Sequence, residues 1–341
     1  MQSLHKSVGG VRPALEILRP GLLASVTSPV SDRVTDARGL YGSIPISMSR
    51  LETQAECPLK NLLTGGLRLN EDTDYQSNAI DIGNIMHEAL EHSVPELMQA
   101  GEEARNAEFA RGIVEKNLYA AARSTHDGVM LHTARARLLC ARLNKSVTAA
   151  CRSIMEDLDA FKPFAFEVSF GRGKYPAIEL DTREGRVRLQ GKIDRVDKSA
   201  DGRALRIVDY KSSKHSITAK SVERGTTLQL PLYMIAMEKA TGARGAAMYY
   251  QNCFGTGVCY SGLSCEDSPA PDKNALPQAE FRAVLDSAKD TAARLAADML
   301  QGRTDTDGVI TQGASSPCAY CAHSAVCSVR LSDTSQTEYE D

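Results

Sequence analysis

The sequence predicts an α/β fold in which helices flank a central β-sheet. Strand-like segments rich in β-branched and aromatic residues are concentrated between residues 164 and 250. Amphipathic helix patterns lie before them, at 81–92, and after them, at 279–300. A sheet must bury its apolar faces, and helices from both ends of the chain are available to cover them.

Composition restricts the class of protein. The 341 residues are 42% hydrophobic and 24% charged, which is typical of a folded globular chain with one elaborated domain or two. The net charge of -3 gives no overall attraction to nucleic acid, so DNA binding would require a local basic surface. The chain has no apolar run of membrane-spanning length and no secretion signal, which predicts a cytoplasmic protein without membrane contact. It also has no Walker A motif, so no ATPase motor is expected.

The two ends of the chain carry no recognisable chemistry. Residues 1–45 contain many Pro, Gly and Ser residues and are interpreted as a linker or the remnant of an upstream region. Residues 332–341 are expected to form a disordered acidic tail. Between them, the first helix is predicted to begin after Ser49, whose hydroxyl would form a capping box with Glu52.

A histidine lies on the helix predicted at 81–92. Apolar residues recur there at the spacing that forms one buried helix face, and His87 stands at the edge of that face. A histidine in this position is either a partly buried side chain with satisfied hydrogen bonds or a metal ligand. The segment that follows, from 104 to 158, is also predicted to be helical.

The first predicted strand, 164–170, alternates aromatic and polar residues. Alternation places Phe164, Phe166, Val168 and Phe170 on one face and Glu167 on the other. Glu167 is therefore either a solvent-facing side chain or a contributor to a site on that side of the sheet.

Two further strands, 185–196 and 205–213, form a predicted hairpin that Asp201-Gly202 closes. They bring Asp194 and Asp209, fifteen residues apart, onto neighbouring strands, with Lys211 on the same strand face as Asp209. Taken alone, this is either a salt-bridged strand end or a metal site. Two carboxylates that hold Mg²⁺ or Mn²⁺, with a lysine beside them, are what metal-dependent phosphodiester hydrolysis requires.

The segments Gly191-Lys192-Ile193-Asp194 and Asp209-Tyr210-Lys211-Ser212 resemble the G-x-I-D and D-Y-K-S motifs of RecB-type PD-(D/E)xK nucleases. The resemblance implies a restriction-endonuclease-like fold with a mixed sheet. It also implies that Asp194 and Asp209 bind the metal with Glu167 and His87, and that Lys211 activates water. The same nucleases carry a Gln-x-x-x-Tyr motif that approaches the DNA.

That motif corresponds here to Gln229 and Tyr233, which are spaced i, i+4 on a helix predicted to start near residue 228. Pro231 is compatible with that helix only in its first turn. The loop that follows Lys211 is basic, with Lys214, Lys220 and Arg224 against one acid. It is either a solvated loop or a loop that contacts DNA phosphates.

The spacing Cys318-x2-Cys321-x5-Cys327 predicts a metal site, because three thiolates so close together in a chain without a secretion signal are typical of metal binding. A zinc ion could take His323 as its fourth ligand. A [4Fe-4S] cluster would require a fourth thiolate from elsewhere in the chain.

The flanks of Cys57 resemble AddB-type subunits of ATP-dependent helicase-nucleases. The resembling segments are Leu40-Tyr41-Gly42, Ser49-Arg50-Leu51-Glu52, Cys57-Pro58, Gly66-Leu67-Arg68-Leu69 and the terminal cysteine triplet. The resemblance implies that Cys57 and the triplet bind a [4Fe-4S] cluster, which would join segments 46–70 and 312–331 of a nuclease domain at 46–331.

The same resemblance implies a function. We expect a DNA exonuclease that processes double-strand break ends for recombinational repair, with an AddA-like partner subunit. The large helicase-like portion of the family is missing upstream, so that the chain would be a fragment or a stand-alone relative. The alternative is a non-catalytic DNA-binding scaffold module of a helicase-nuclease complex.

Overall fold

The computed structural model describes residues 33–41, 45–69, 79–173, 175–254 and 257–306, and positions 309, 316, 318, 321–323 and 327. Most of the expected linker at 1–45 and all of the expected tail at 332–341 lie outside the described residues. The chain divides into two compact units. One comprises residues 1–43, 53–71 and 298–341, and the other comprises residues 44–52 and 72–297.

The described helices account for most of the chain on either side of the strands. In chain order they are α1 (Ala37–Tyr41), α2 (Met48–Glu56), α3 (Pro58–Asn61), α4 (Ala79–Ala100), α5 (Ala107–Ser124), α6 (Val129–His132), α7 (Ala134–Glu156), α8 (Ala219–Arg224), α9 (Gln229–Thr241) and α10 (Gln278–Leu300). Among these helices, none is both long and apolar enough to cross a membrane.

Seven strands form one mixed sheet, which confirms the predicted fold class. They are β1 (Ile46–Ser47), β2 (Phe161–Phe170), β3 (Ile178–Thr182), β4 (Gly185–Ser199), β5 (Ala204–Lys211), β6 (Arg244–Phe254) and β7 (Gly257–Ser264). The order β1-β4-β5-β6-β7 is parallel at β1/β4 and β5/β6, and antiparallel at β4/β5 and β6/β7. Strands β2 and β3 also pair with β4 in antiparallel fashion.

The tight turn between β4 and β5 forms as the sequence predicts. Gly202 has φ of +71°, a conformation that glycine adopts without steric cost, and its N–H donates to the Ser199 carbonyl. Strand β5 is buried along almost its whole length. The parallel connection from β5 to β6 then runs through α8 and α9.

The largest core lies between helices and the sheet. Apolar residues of α4, α5 and α7 form one buried cluster with Val208 and Tyr210 of β5 and Cys253 of β6. Cys140 and Cys151 belong to this cluster, in which a free cysteine packs as a small apolar side chain. Helix α9 is buried along Leu230–Tyr233 and packs on β5 and β6. The helices thus pack on β5, which carries Asp209 and pairs with β4, the strand of Asp194.

Two local expectations are wrong. The hydroxyl that accepts the Arg50 N–H at the start of α2 belongs to Ser47, and the Glu52 carboxylate bonds to a different helix. Phe164 is 49% exposed, because the register of β2 against β4 shifts between Pro163 and Ala165. The extra residue of this bulge turns Phe164 away from the face that Val168 and Phe170 share.

Candidate active site

Asp194 lies where β4 and β5 separate. Their antiparallel pairing extends from Lys198–Leu205 to Arg195–Val208 and ends there. Beyond it, Oδ2 of Asp194 accepts the Tyr210 backbone N–H at 2.7 Å. A side chain thus replaces the missing backbone acceptor, which fixes the Asp194 carboxylate in a buried position.

His87 of α4 reaches the same carboxylate. Its Nδ1 lies 3.3 Å from Oδ1 of Asp194, and its Nε2 lies 2.9 Å from the Tyr210 carbonyl oxygen. Because a carbonyl only accepts, Nε2 carries the proton, and in the neutral ring Nδ1 presents its lone pair toward Asp194. Burial lowers the pKa of His87, but the hydrogen bond and charge of Asp194 outweigh burial and raise it.

Glu167 turns inward from β2. Its side chain is only 11% exposed, so the solvent-facing interpretation is wrong. Its φ of +50° is rare for a residue other than glycine, and such backbone strain is concentrated at functional sites. The Lys192 ammonium forms an ion pair with the Glu167 carboxylate. Burial raises the pKa of Glu167, and Lys192 partly offsets this.

His87, Glu167 and Asp194 converge on one point. Each offers a ligand atom, and these three atoms lie within 4.8 Å of one another. Asp209 is not a member of this group among the described residues. Two carboxylates and an imidazole suit Mn²⁺ as well as Mg²⁺. The donor set therefore fits a divalent ion of the kind predicted.

Lys211 connects Asp209 to the start of α9. Its Nζ lies 2.6 Å from Oδ2 of Asp209 and donates to Oε1 of Gln229 at 3.3 Å. Burial lowers the pKa of Lys211, but the Asp209 charge and hydrogen bond outweigh it and raise the pKa. Burial, followed by the Asp194 charge, raises the pKa of Asp209. Without a metal ion, Lys211 is thus held as an ammonium.

Gln229 is the first residue of α9, and Pro231 lies in its first turn, as the sequence requires. Tyr233, one turn later, is buried and contacts the Phe170 ring at a centroid distance of 5.7 Å. A Cβ on Gly191 would lie 2.8 Å from the Tyr233 ring, so glycine is needed for this close approach. Tyr233 therefore lies against β2 and β4, whereas Gln229 lies beside Lys211 of β5.

Glu52 is the site residue that sequence reasoning missed. Its Oε1 accepts the backbone N–H groups of Leu228, at 2.7 Å, and Gln229, at 3.0 Å. Burial raises its pKa to about 7. The two backbone hydrogen bonds and the Lys211 charge lower the pKa in part, and the Asp209 charge raises it. The capping-box pattern predicted instead that the Glu52 carboxylate would bond to the start of its own helix, α2. No local pattern identifies a partner 176 residues away.

A buried ion network lies beside Tyr210 of β5. Arg195 is fully buried, lies 2.9 Å from Oδ1 of Asp197, and donates to the Tyr210 hydroxyl and to Gln251. Arg206 bonds to the other Asp197 oxygen at 2.8 Å. Sequence reasoning also missed this network. One sequence signal could have indicated it. Arg195 and Asp197 carry opposite charges two residues apart, on a strand face whose other residues are mostly apolar.

The basic loop is exposed, as predicted, but anchored. Lys214, Lys220 and Arg224 are all exposed to solvent. The loop is held by buried Ile217 and by two hydrogen bonds between His215 and Asn252, of 2.7 and 3.1 Å. Because Lys211 begins this loop, its cations lie on the chain segment that leaves the candidate site.

The four predicted cluster cysteines belong to one compact unit. All four are half-buried free thiols. The Cys57 sulfur accepts the Lys60 N–H at 3.4 Å at the start of α3. Burial raises the pKa of Cys57, the hydrogen bond from the Lys60 N–H partly offsets this, and negative charge on Cys327 or Cys318 raises the pKa further. Among the described residues, these sulfurs do not form a group whose atoms all lie within 4.8 Å of one another. Thiolate sulfur is the ligand type that iron-sulfur clusters and zinc prefer.

Comparison with known proteins finds relatives that are named as the B subunit of an ATP-dependent helicase/deoxyribonuclease. The relative from Alkaliphilus oremlandii is 26% identical, over 85% of this chain and 30% of its own length. The relatives from Moorella thermoacetica and Clostridioides difficile are each 34% identical, over 68% and 59% of this chain and 21% and 18% of their own lengths. The chain thus spans less than a third of each of these relatives.

Comparison with solved structures and with a family profile also covers most of the chain. The crystal structure of SSO0001 aligns with 80% of this chain and 95% of its own, at 14% sequence identity and a TM-score of 0.30, a likeness too low to support an argument. The sequence profile of the PD-(D/E)XK nuclease superfamily matches residues 45–328. That range includes β2, β4, β5 and α9, which carry the candidate site. The chain therefore belongs to the PD-(D/E)XK nuclease superfamily.

Proposed function

We propose that this chain is a Mg²⁺- or Mn²⁺-dependent deoxyribonuclease that hydrolyses phosphodiester bonds. The observation that carries the proposal is the convergence of His87, Glu167 and Asp194 within 4.8 Å. Asp209 and Lys211 stand on the neighbouring strand. Buried carboxylates are costly unless they are paired or bind a metal, so a functional role accounts for their retention in a sheet core.

Each residue of the candidate site has a proposed role that follows from its position. Asp194, Glu167 and His87 Nδ1 would hold the metal ion, with Asp209 as a fourth ligand. When bound, the ion polarises the scissile phosphate and lowers the pKa of water. Lys211 would orient the attacking water as an ammonium, or accept its proton as a neutral amine after releasing its own proton to solvent. Gln229 and Tyr233 would position DNA, and Gln229 also holds Lys211 through its side-chain oxygen.

DNA as substrate is supported by the relatives, which are named as helicase/deoxyribonuclease subunits. Because these relatives are named as subunits, they also support a partner subunit for this chain. The resemblance in sequence predicts that this partner is AddA-like. We infer that the complex processes the ends of broken DNA for recombinational repair, and that this chain cuts as an exonuclease.

The test is cleavage of linear and circular DNA with Mg²⁺ or Mn²⁺ by protein purified anaerobically. Wild type should cut linear DNA and prefer it to circular DNA. Asp194→Asn should abolish cleavage, whereas Asp181→Asn should not, because the exposed Asp181 carboxylate bonds only to Arg186 among the described contacts. Wild type that does not cut, alone or with its partner subunit, would overturn the proposal.

We further propose that Cys57, Cys318, Cys321 and Cys327 bind a [4Fe-4S] cluster. When bound, the cluster would close a very long loop and restrict the unfolded chain, which stabilises the folded state. Iron and sulfide analysis decides between this cluster and a zinc ion that uses His323. Zinc without iron in freshly purified protein would remove the cluster from the proposal.

A second function, that of a non-catalytic DNA-binding scaffold, is favoured by one observation. Glu167 and Asp209 already have cationic partners in Lys192 and Lys211, so the carboxylates are compensated without a metal ion. DNA binding without cleavage, in protein with its cluster and its partner subunit present, would favour this function over the nuclease.

A further inference from the structure

Glu52 makes an unusual long-range contact. A glutamate at the third position of a helix can cap its own helix, but Glu52 is the fifth residue of α2. Here Oε1 of Glu52 accepts the N–H groups of Leu228 and Gln229, the residues at which α9 begins. Leu228 itself makes no side-chain cap to α9. The Glu52 carboxylate therefore supplies the cap that α9 lacks, and its negative charge favours the helix N-terminus.

The capped residue belongs to the candidate site. The Gln229 backbone N–H donates to Glu52, and the Gln229 side-chain oxygen accepts from Lys211 Nζ. Lys211 in turn contacts Asp209. One residue thus connects a carboxylate outside the ligand group to the lysine that would activate water. A shift of the Gln229 backbone would move the acceptor that orients Lys211.

Burial of the Glu52 carboxylate is energetically unfavourable, which is unexpected for a residue that serves only as a helix cap. Burial raises the pKa of Glu52 to about 7, which means that the folded protein disfavours the ionised carboxylate. A serine or threonine in place of Leu228 would cap α9 without burying a charge. The use of a buried carboxylate is explained if its position also serves the neighbouring Lys211 and Gln229.

We propose that Glu52 is a positioning residue of the nuclease site, which fixes the first turn of α9 and thereby holds Gln229 against Lys211. This inference rests on the proposed function. Among the hydrogen bonds of the described residues, those of Glu52 reach Leu228 and Gln229 and not Lys211 or the three metal-ligand candidates, so Glu52 acts through Gln229.

The test measures kcat and KM for DNA cleavage by the full chain with its cluster retained. Glu52→Ala should lower kcat about tenfold or more, and Glu52→Gln should restore most of the loss because its amide oxygen still accepts both N–H groups. Gln229→Ala should lower kcat similarly. The double variant Glu52→Ala/Gln229→Ala should be no slower than the slower single variant, since both changes break one connection.

The matched control is Glu238→Ala, at the other end of α9. Glu238 accepts the Gly245 N–H at 2.7 Å and pairs with Arg282, so its loss should lower thermal stability and leave kcat unchanged. If Glu52→Ala fails to fold, Glu52→Asp replaces it, because the shorter side chain withdraws the acceptor from Leu228 and Gln229.

The outcomes separate the two proposals. An active wild type with unchanged kcat in the Glu52 variants, or effects that add to those of Gln229→Ala, would overturn the positioning role alone. Equal loss of kcat in Glu52→Ala and Glu238→Ala would show a general structural effect and would also overturn it. A wild type without nuclease activity would overturn the proposed function and this inference with it.

Discussion

The backbone N–H of Tyr210 donates to the carboxylate of Asp194 across the point where their two strands separate. The Tyr210 carbonyl, on the same residue, contacts Nε2 of His87. One peptide segment of β5 thus orients two of the three candidate metal ligands. Backbone atoms of a buried strand move little, so this arrangement holds both ligands before any metal binds.

The first prediction separates the structural and chemical roles of Asp194. Asp194→Asn keeps an oxygen that accepts the Tyr210 N–H, whereas Asp194→Ala leaves this buried donor unpaired. Asp194→Ala should therefore lower the free energy of unfolding by about 1–3 kcal/mol more than Asp194→Asn. Both variants should lose cleavage. Urea unfolding measures the difference, and equal stability of the two variants would contradict this role for the hydrogen bond.

The second prediction concerns Lys192, whose ammonium pairs with Glu167. A positive charge beside a candidate metal ligand opposes cation binding. Lys192→Met should tighten Mn²⁺ binding by roughly threefold to tenfold, or about 0.7–1.4 kcal/mol. Lys198→Met is the control, because Lys198 lies over the exposed Phe164 ring. Calorimetric titration that finds both variants unchanged would exclude competition between Lys192 and the metal.

The third prediction is a pH dependence from Glu52. Burial raises its pKa from 4.5 to about 7, so the folded state binds this proton more tightly than the unfolded state. Stability from Glu52 is therefore greatest at low pH and is lost as pH rises toward and through 7. Relative to Glu52→Gln, wild type should lose about 2 kcal/mol of unfolding free energy between pH 5 and pH 7, since tenfold in proton affinity corresponds to about 1.4 kcal/mol.

Urea unfolding of both proteins at the two pH values provides the measurement. The comparison with Glu52→Gln cancels the pH dependence of groups that do not interact with Glu52. A difference between wild type and variant that does not change with pH would mean that Glu52 titrates normally in the folded protein.

The fourth prediction tests the exposed basic loop. Replacing Lys214 and Lys220 by Ala should weaken DNA binding and reduce the slope of log affinity against log salt by about 1–2, since each phosphate contact releases counterions. Lys162→Ala, an exposed lysine of β2, serves as the control. Binding is measured in the absence of divalent ions. An unchanged slope of log affinity against log salt would indicate that the loop is solvated and does not contact DNA phosphates.

The fifth prediction addresses the cysteine cluster. Cys327→Ser should lose iron and the absorbance of an iron-sulfur cluster, and should lower thermal stability because the chain segments that carry Cys57 and Cys327 are no longer joined. Cys259→Ser should retain both, since Cys259 is exposed and outside the proposed set. Full iron content in Cys327→Ser would remove this residue from the ligand set.

Much of the site could be predicted because its pieces are local. A tight turn fixes the register of the β4–β5 hairpin, so that Asp194 and Asp209 had to lie on neighbouring strands. Helix periodicity likewise fixed the faces that carry His87 and Gln229. The prediction for Phe164 failed, because a one-residue bulge reverses the faces of a strand and leaves no local signature.

The sequence by itself determined the fold class, the two strands that carry Asp194 and Asp209, and the spacing of the cysteines, because these depend on alternation, turn chemistry and neighbours in the chain. Only the tertiary structure decided that Glu52 caps α9, that Glu167 turns inward and that Arg195 donates to Tyr210 and Gln251. Each of these depends on which distant backbone or side-chain group lies within hydrogen-bonding distance. Packing between elements sets that proximity, and no pattern within one element encodes it.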